Sequence, residues 1–119
     1  MTSKRSELQE DTHFRVLRML QENPETSQRE LAEAVGISVG GIHNVLSALI
    51  EAGLVKSANF TNTAQRRRYA YVLTPKGHAL KAALGHRFLA RKMNEYEVIK
   101  QEIDDLISEL RAPISSTRP

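Results

Sequence analysis

The spacing of apolar residues changes period twice along the chain, from helical to alternating and back to helical. Between about Ser6 and Glu22, Val16, Leu17 and Leu20 share one helical face, with Leu8, Phe14 and Met19 nearby. Asn23-Pro24 should end that helix, because proline lacks a backbone donor and turns the preceding residue away from helical angles. Ser27-Gln28-Arg29-Glu30 has the form of a capping box, in which the serine hydroxyl and the glutamate carboxylate each accept from the other's amide. The short helix it opens turns Leu31, Ala32 and Val35 inward and stops at Gly36, a residue suited to a left-handed C-cap. Ser38 is the next N-cap. A third helix then reaches about Ala52, with Ile42, Val45, Leu46, Leu49 and Ile50 at helical spacing, the first four of them inward, and Gly53 as its terminator. Two helices joined by so short a glycine-bearing turn predict a helix-turn-helix.

Beyond Gly53 the period shortens. Leu54–Phe60 and Arg68–Leu73 are rich in β-formers and predict two strands of a hairpin, joined by the polar, basic segment Thr61–Arg67. Thr74-Pro75 opens a last helix, with threonine as N-cap and proline at the first helical position. That helix should run to about Arg111, roughly 37 residues and about 55 Å, weakened locally by Gly77 and Gly85. In its second half Tyr96, Ile99, Ile103, Leu106 and Leu110 alternate by three and four residues, a heptad seam preceded by Lys92. The expected architecture is mainly α with a small β-hairpin (α+β). It comprises a winged helix-turn-helix domain over residues 6–74, a long C-terminal dimerisation helix over 75–111, and a disordered tail over 112–119.

Composition narrows the reading. Aromatics make up 5% of the chain and hydrophobic residues 40%, so the core is built mainly from aliphatic side chains. With no cysteine, disulfides and thiolate chemistry are excluded. No apolar run is long enough to span a membrane, and Met1–Asp11 is too polar for a signal peptide, so the expected location is the cytoplasm. The net charge of +3 says less than its distribution. No acidic residue lies between Glu51 and Glu95, a stretch that holds Lys56, Arg66, Arg67, Arg68, Lys76, Lys81, Arg87, Arg91 and Lys92. A basic middle flanked by mixed segments suits a phosphate-facing surface, although a solvated basic face without a partner has the same composition.

The segment from Ser27-Gln28-Arg29-Glu30-Leu31-Ala32 through Gly36-Ile37-Ser38 to Leu49-Ile50-Glu51-Ala52-Gly53-Leu54-Val55 resembles the capped helix, turn and recognition helix of bacterial winged helix-turn-helix regulators. Tyr71-Val72-Leu73-Thr74-Pro75-Lys76-Gly77 is similar to the junction at which the second wing strand of MarR-family proteins enters the next helix. Asn59-Phe60, Tyr69-Ala70-Tyr71, Arg87-Phe88-Leu89, Arg91-Lys92-Met93 and Glu95-Tyr96-Glu97 resemble, more narrowly, the extracellular-polysaccharide (EPS)-associated MarR subgroup. The resemblance spans about residues 7–111. It implies a homodimeric bacterial transcription regulator that binds double-stranded DNA, with the third helix in the major groove and the wing on the minor groove or backbone.

On the third helix the outward residues are Val39, Gly40, Gly41, His43, Asn44 and Ser47. The resemblance places His43 and Asn44 at base-facing positions, and an asparagine amide suits adenine. Gly40 and Gly41 would let backbone approach DNA, or merely loosen a helix start. Ser27 and Ser38 are explained by capping alone, although a helix N-terminus also favours a phosphate. Gln28 has no capping duty and is a candidate backbone contact. Arg66, Arg67 and Arg68 form the wing; they suit a narrow minor groove, or simply solubilise an edge hairpin. Tyr96, Ile99, Ile103, Leu106 and Leu110 are assigned to dimerisation. No metal set, nucleophile–base pair or phosphate loop is visible, so no enzyme activity and no cofactor are expected. So short a chain leaves little room for an effector cavity, and no small-molecule effector is evident. The alternative is a winged helix that docks on another protein through its long C-terminal helix.

Overall fold

The computed structural model describes residues 4–61 and 67–111, with side chains described outside 58–69. Its elements are α1 (Lys4–Glu22), α2 (Gln28–Val35), α3 (Val39–Glu51), β1 (Val55–Thr61), β2 (Arg67–Leu73) and α4 (Pro75–Arg111). The order is the expected one, and the fold is a winged helix-turn-helix followed by a long helix. β1 starts at Val55 rather than Leu54, because the Leu54 amide is spent on the Leu49 carbonyl (2.9 Å), closing the end of α3. Residues 62–66 of the expected hairpin loop and the expected tail, 112–119, lie outside the described residues.

The chain divides into two compact units, residues 1–86 and 87–119. In the first, Val16, Leu17 and Leu20 of α1 meet Leu31 of α2 and Ile42, Leu46 and Leu49 of α3, all at most 2% exposed. Val55 and Leu73, paired across the antiparallel hairpin, close the cluster, and Leu84 of α4 joins it. The first turns of α4 therefore pack with the winged unit. Ile50 of α3 is 38% exposed. It follows buried Leu49, and one residue further round a helix is a rotation of about 100°.

The glycines of α4 also need a different account from local weakening. A Cβ at buried Gly77 would fall on the Leu54 carbonyl oxygen, and one at Gly85 would sit 3.1 Å from the Phe14 ring. Both positions are small so that α4 can lie close to the rest of its unit. Around Gly77 the junction is tied by several bonds. The Thr74 hydroxyl accepts from the Gly77 amide (3.0 Å) and donates to the Gly53 carbonyl (2.7 Å). The Thr74 amide donates to the Leu54 carbonyl (3.0 Å), and the Lys76 ammonium donates to the Ala52 carbonyl (3.2 Å). Thr74-Pro75-Lys76-Gly77 is thus a clamp holding the end of α3 against the start of α4.

In the second unit α4 continues to Arg111, and its large apolar side chains are exposed. Tyr96, Ile99, Ile103, Leu106 and Leu110 are each between 50% and 78% exposed. Among the described residues no single helix is long and apolar enough to cross a membrane.

Candidate nucleic-acid interface

The orientation of α3 is set by the turn before it. Ser27 accepts from the Glu30 amide (3.0 Å) and its own amide donates to the Glu30 carboxylate (2.9 Å), so the capping box is complete. The Ser27 amide, followed by its hydroxyl, holds the Glu30 carboxyl below its ordinary pKa. Gly36 takes φ +83° and closes α2 through its amide to the Ala32 carbonyl (2.8 Å). Ser38 then caps α3, accepting from the Gly41 amide at 2.9 Å. The two helices bend by 105° at this turn, within the range of a helix-turn-helix.

With Ile42, Leu46 and Leu49 buried, the opposite side of α3 must face solvent. Val39, Gly40, His43, Asn44 and Ser47 are all exposed there, at the spacing of one helical stripe. Val39 is 47% exposed, an apolar group with no intramolecular cover over half its surface. The two glycines separate. Gly41 is half-buried, and a Cβ there would lie 3.2 Å from the Ser38 oxygen and 3.4 Å from Ile37, so the capping turn itself calls for a small residue. At Gly40 the nearest group is the Ser38 oxygen at 3.9 Å, which leaves bare backbone on the exposed stripe.

Beside this stripe lies an open concavity of about 430 Å³, lined by Arg29, Ala32, Glu33, Gly36, Ile37, Ser38 and Val39. Arg29 offers it a guanidinium, and the α3 N-terminus offers partial positive charge. Glu33 opposes both. Arg29 was not singled out by sequence, since its place in the concavity depends on the bend between α2 and α3.

The structure brings Ser38, Val39, Gly40, His43, Asn44 and Ser47 together and gives Gln28 an internal duty. Gln28 is half-buried, and its side-chain amide donates to the Tyr71 hydroxyl at 3.4 Å, the long end of hydrogen-bond distance. The Tyr71 amide donates to the Pro24 carbonyl (3.0 Å), so the same tyrosine ties β2 to the turn between α1 and α2. Arg67 and Arg68 pair through their backbones with Thr61 and Phe60 at the loop end of the hairpin. Arg66 and the arginine side chains lie outside the described residues. Among the described residues, no group of three or more His, Cys, Asp or Glu side chains could hold a metal ion.

Residues 9–56 match the family model described as winged helix-turn-helix DNA-binding. No curated protein matches the sequence. Among solved structures, the PcaV transcriptional regulator of Streptomyces coelicolor, determined with its natural ligand, is 24% identical with a TM-score of 0.58. The match covers 88% of this chain and 73% of that one. A MarR/EmrR-family transcriptional regulator from Acinetobacter sp. ADP1 is 18% identical with a TM-score of 0.60, over 89% of this chain and 76% of its own. A protein of Streptococcus mutans UA159 is 18% identical with a TM-score of 0.64, over 84% and 94%. At these identities the likeness is one of fold.

Proposed function

We propose that this chain is a dimeric, sequence-specific transcription regulator of the MarR type, which binds double-stranded DNA through α3 and the wing. The observation that carries the reading is the exposed stripe Val39, Gly40, His43, Asn44 and Ser47, on a capped helix within the segment that matches a DNA-binding family model. An α-helix of this width fits the major groove. Asn44 would bond an adenine through its amide, His43 a base edge or a phosphate, and Val39 a thymine methyl. Gly40 lets backbone come close to the sugar-phosphate chain. Arg66, Arg67 and Arg68 would lie on the minor groove or the backbone. The exposed seam of α4 would meet a second copy, placing two recognition helices on half-sites about one DNA turn apart.

The fold neighbours leave the effector question to experiment: PcaV was solved with its natural ligand, so the fold admits one in that protein. The regulator is expected in the cytoplasm, where its DNA would be. The EPS association rests on the sequence resemblance alone.

The direct test is equilibrium binding to mixed-sequence duplex DNA over a salt series. Log affinity should fall linearly with log salt, and Arg67→Ala should reduce the slope by about one unit if that side chain neutralises one phosphate. Absence of salt-sensitive binding would remove the DNA reading and favour a protein partner. An unchanged slope in Arg67→Ala would remove only the wing contact.

A further inference from the structure

The exposed seam on residues 89–110 carries, besides its apolar stripe, a charge pattern that distinguishes the two ways a second copy could lie against it. We propose that two α4 seams pair parallel and in register, with Glu95 of each chain facing Lys100 of its partner. This rests on the homodimer reading above and adds its orientation.

In the heptad frame, Leu89, Tyr96, Ile103 and Leu110 occupy the a positions, and Lys92, Ile99 and Leu106 the d positions. The flanking g column then reads Phe88, Glu95, Glu102, Glu109, and the e column reads Met93, Lys100, Ile107. In a parallel pair each g residue meets the e residue five positions later on the partner. The contacts become Phe88 with Met93, Glu95 with Lys100, and Glu102 with Ile107: one apolar, one of opposite charge, one mixed. In an antiparallel pair g meets g, and glutamates from the run Glu95, Glu102 and Glu109 are brought against each other. Shifting the antiparallel register by a heptad only changes which glutamates meet. Like charges across such an interface are unfavourable, so the glutamate column selects against that orientation.

The side-chain geometry is compatible with this. Lys92, the one charged residue at a seam position, bonds Glu95 at 3.1 Å with its ammonium 5.2 Å from the centre of the Phe88 ring. It thus has partners on its own helix and leaves the seam proper to start at Tyr96. Lys100 lies 3.7 Å from Asp104, and both side chains remain more than half exposed. Each is free to take a second partner. A parallel pair also brings both chains into the seam from the same end, since the winged unit precedes α4 in each.

The absence of cysteine makes the test clean. Tyr96→Cys and Leu110→Cys are made separately in the full chain, mixed or kept apart, and oxidised gently at concentrations where sedimentation gives a dimer. These positions are 14 residues, about 21 Å, apart. In a parallel in-register dimer each variant cross-links to itself, because identical residues face each other within disulfide reach. In any antiparallel dimer at most one position can lie on the two-fold axis, so self-linking of both is impossible. Self-linking of only one variant, or linking only in the mixture, overturns the proposal. A dimer by sedimentation with no cross-link overturns it too, since the seam is then not the interface. A monomer by sedimentation sinks the homodimer reading itself. As a second arm, Lys100→Glu should weaken dimerisation about three- to tenfold, and Glu95→Lys added to it should restore it. No loss with Lys100→Glu would remove the Glu95–Lys100 contact.

Discussion

The two units of this chain use their apolar residues in opposite ways. In residues 1–86 the aliphatic side chains of three helices and a hairpin close on one another, and Val16, Leu17, Leu20, Leu31 and Ile42 are fully buried. In residues 87–111 the same kinds of side chain stand on a single helix, with Leu89 57%, Ile99 55% and Leu106 51% exposed. The first unit has a finished core. The second has half of one, which teaches that apolar periodicity identifies a buried face without saying whose surface buries it.

The sharpest way to break that contrast is to make one cavity in each unit. Leu17→Ala should cost about 3 kcal/mol of unfolding free energy at every protein concentration, by lost burial and an unfilled void. Leu106→Ala removes the same atoms but should leave the unfolding of dilute monomer unchanged, its loss appearing only as weaker association. Denaturant unfolding over a range of protein concentrations checks both. A concentration-independent loss in Leu106→Ala would place that residue in an intramolecular core.

Next in size is a pair of glycine substitutions. Gly77→Ala should cost about 1–3 kcal/mol, because its new methyl group meets the rigid Leu54 backbone. Gly40→Ala, whose methyl group would make only an ordinary contact with the Ser38 oxygen at 3.9 Å, should stabilise α3 by up to about 1 kcal/mol while weakening DNA binding. Thermal unfolding and binding titrations read the two effects separately, and a Gly40→Ala protein with undiminished affinity would show that backbone does not approach DNA there. Asn44→Ala should cost about 1–3 kcal/mol on a cognate duplex and little on a random one. Equal loss on both would deny it a base-reading role.

The smallest effect is in the pH dependence of the first unit. Burial pushes the His13 imidazole below its ordinary pKa of 6.5, with Glu10 pulling weakly the other way. The unfolded chain therefore binds this proton more readily than the folded one. Its contribution to stability is complete above about pH 6.5 and is lost as pH falls through the lowered folded-state value. His13→Gln should flatten that part of the stability profile, and an unaltered profile would assign the slope to other groups.

Much of the fold was legible in the sequence because its punctuation is local. The Ser27–Glu30 box, the Gly36 and Ser38 caps and Thr74-Pro75 each act within four residues, and each appears as expected. What was not legible depends on groups far apart in the chain. Gly77 is required by Leu54, Gly85 packs against Phe14, and Gln28 bonds Tyr71, 43 residues away. Nothing in the immediate neighbourhood of those residues announces the partner. The exposed stripe of α3 was legible because its buried complement, Ile42, Leu46 and Leu49, is spaced so regularly. Gly40 and Gly41 looked alike in sequence and separate only in the fold, where a Cβ at Gly41 would be crowded by the Ser38 oxygen at 3.2 Å and by Ile37 while one at Gly40 would meet that oxygen at an ordinary 3.9 Å.

The central claim, that the exposed stripe of α3 reads DNA sequence, is tested most directly by selection from random duplex DNA at near-physiological salt. The account predicts enrichment of an inverted repeat with half-sites about one helical turn apart, and loss of that enrichment in Asn44→Ala. Salt-sensitive retention of DNA with no enriched sequence would contradict it.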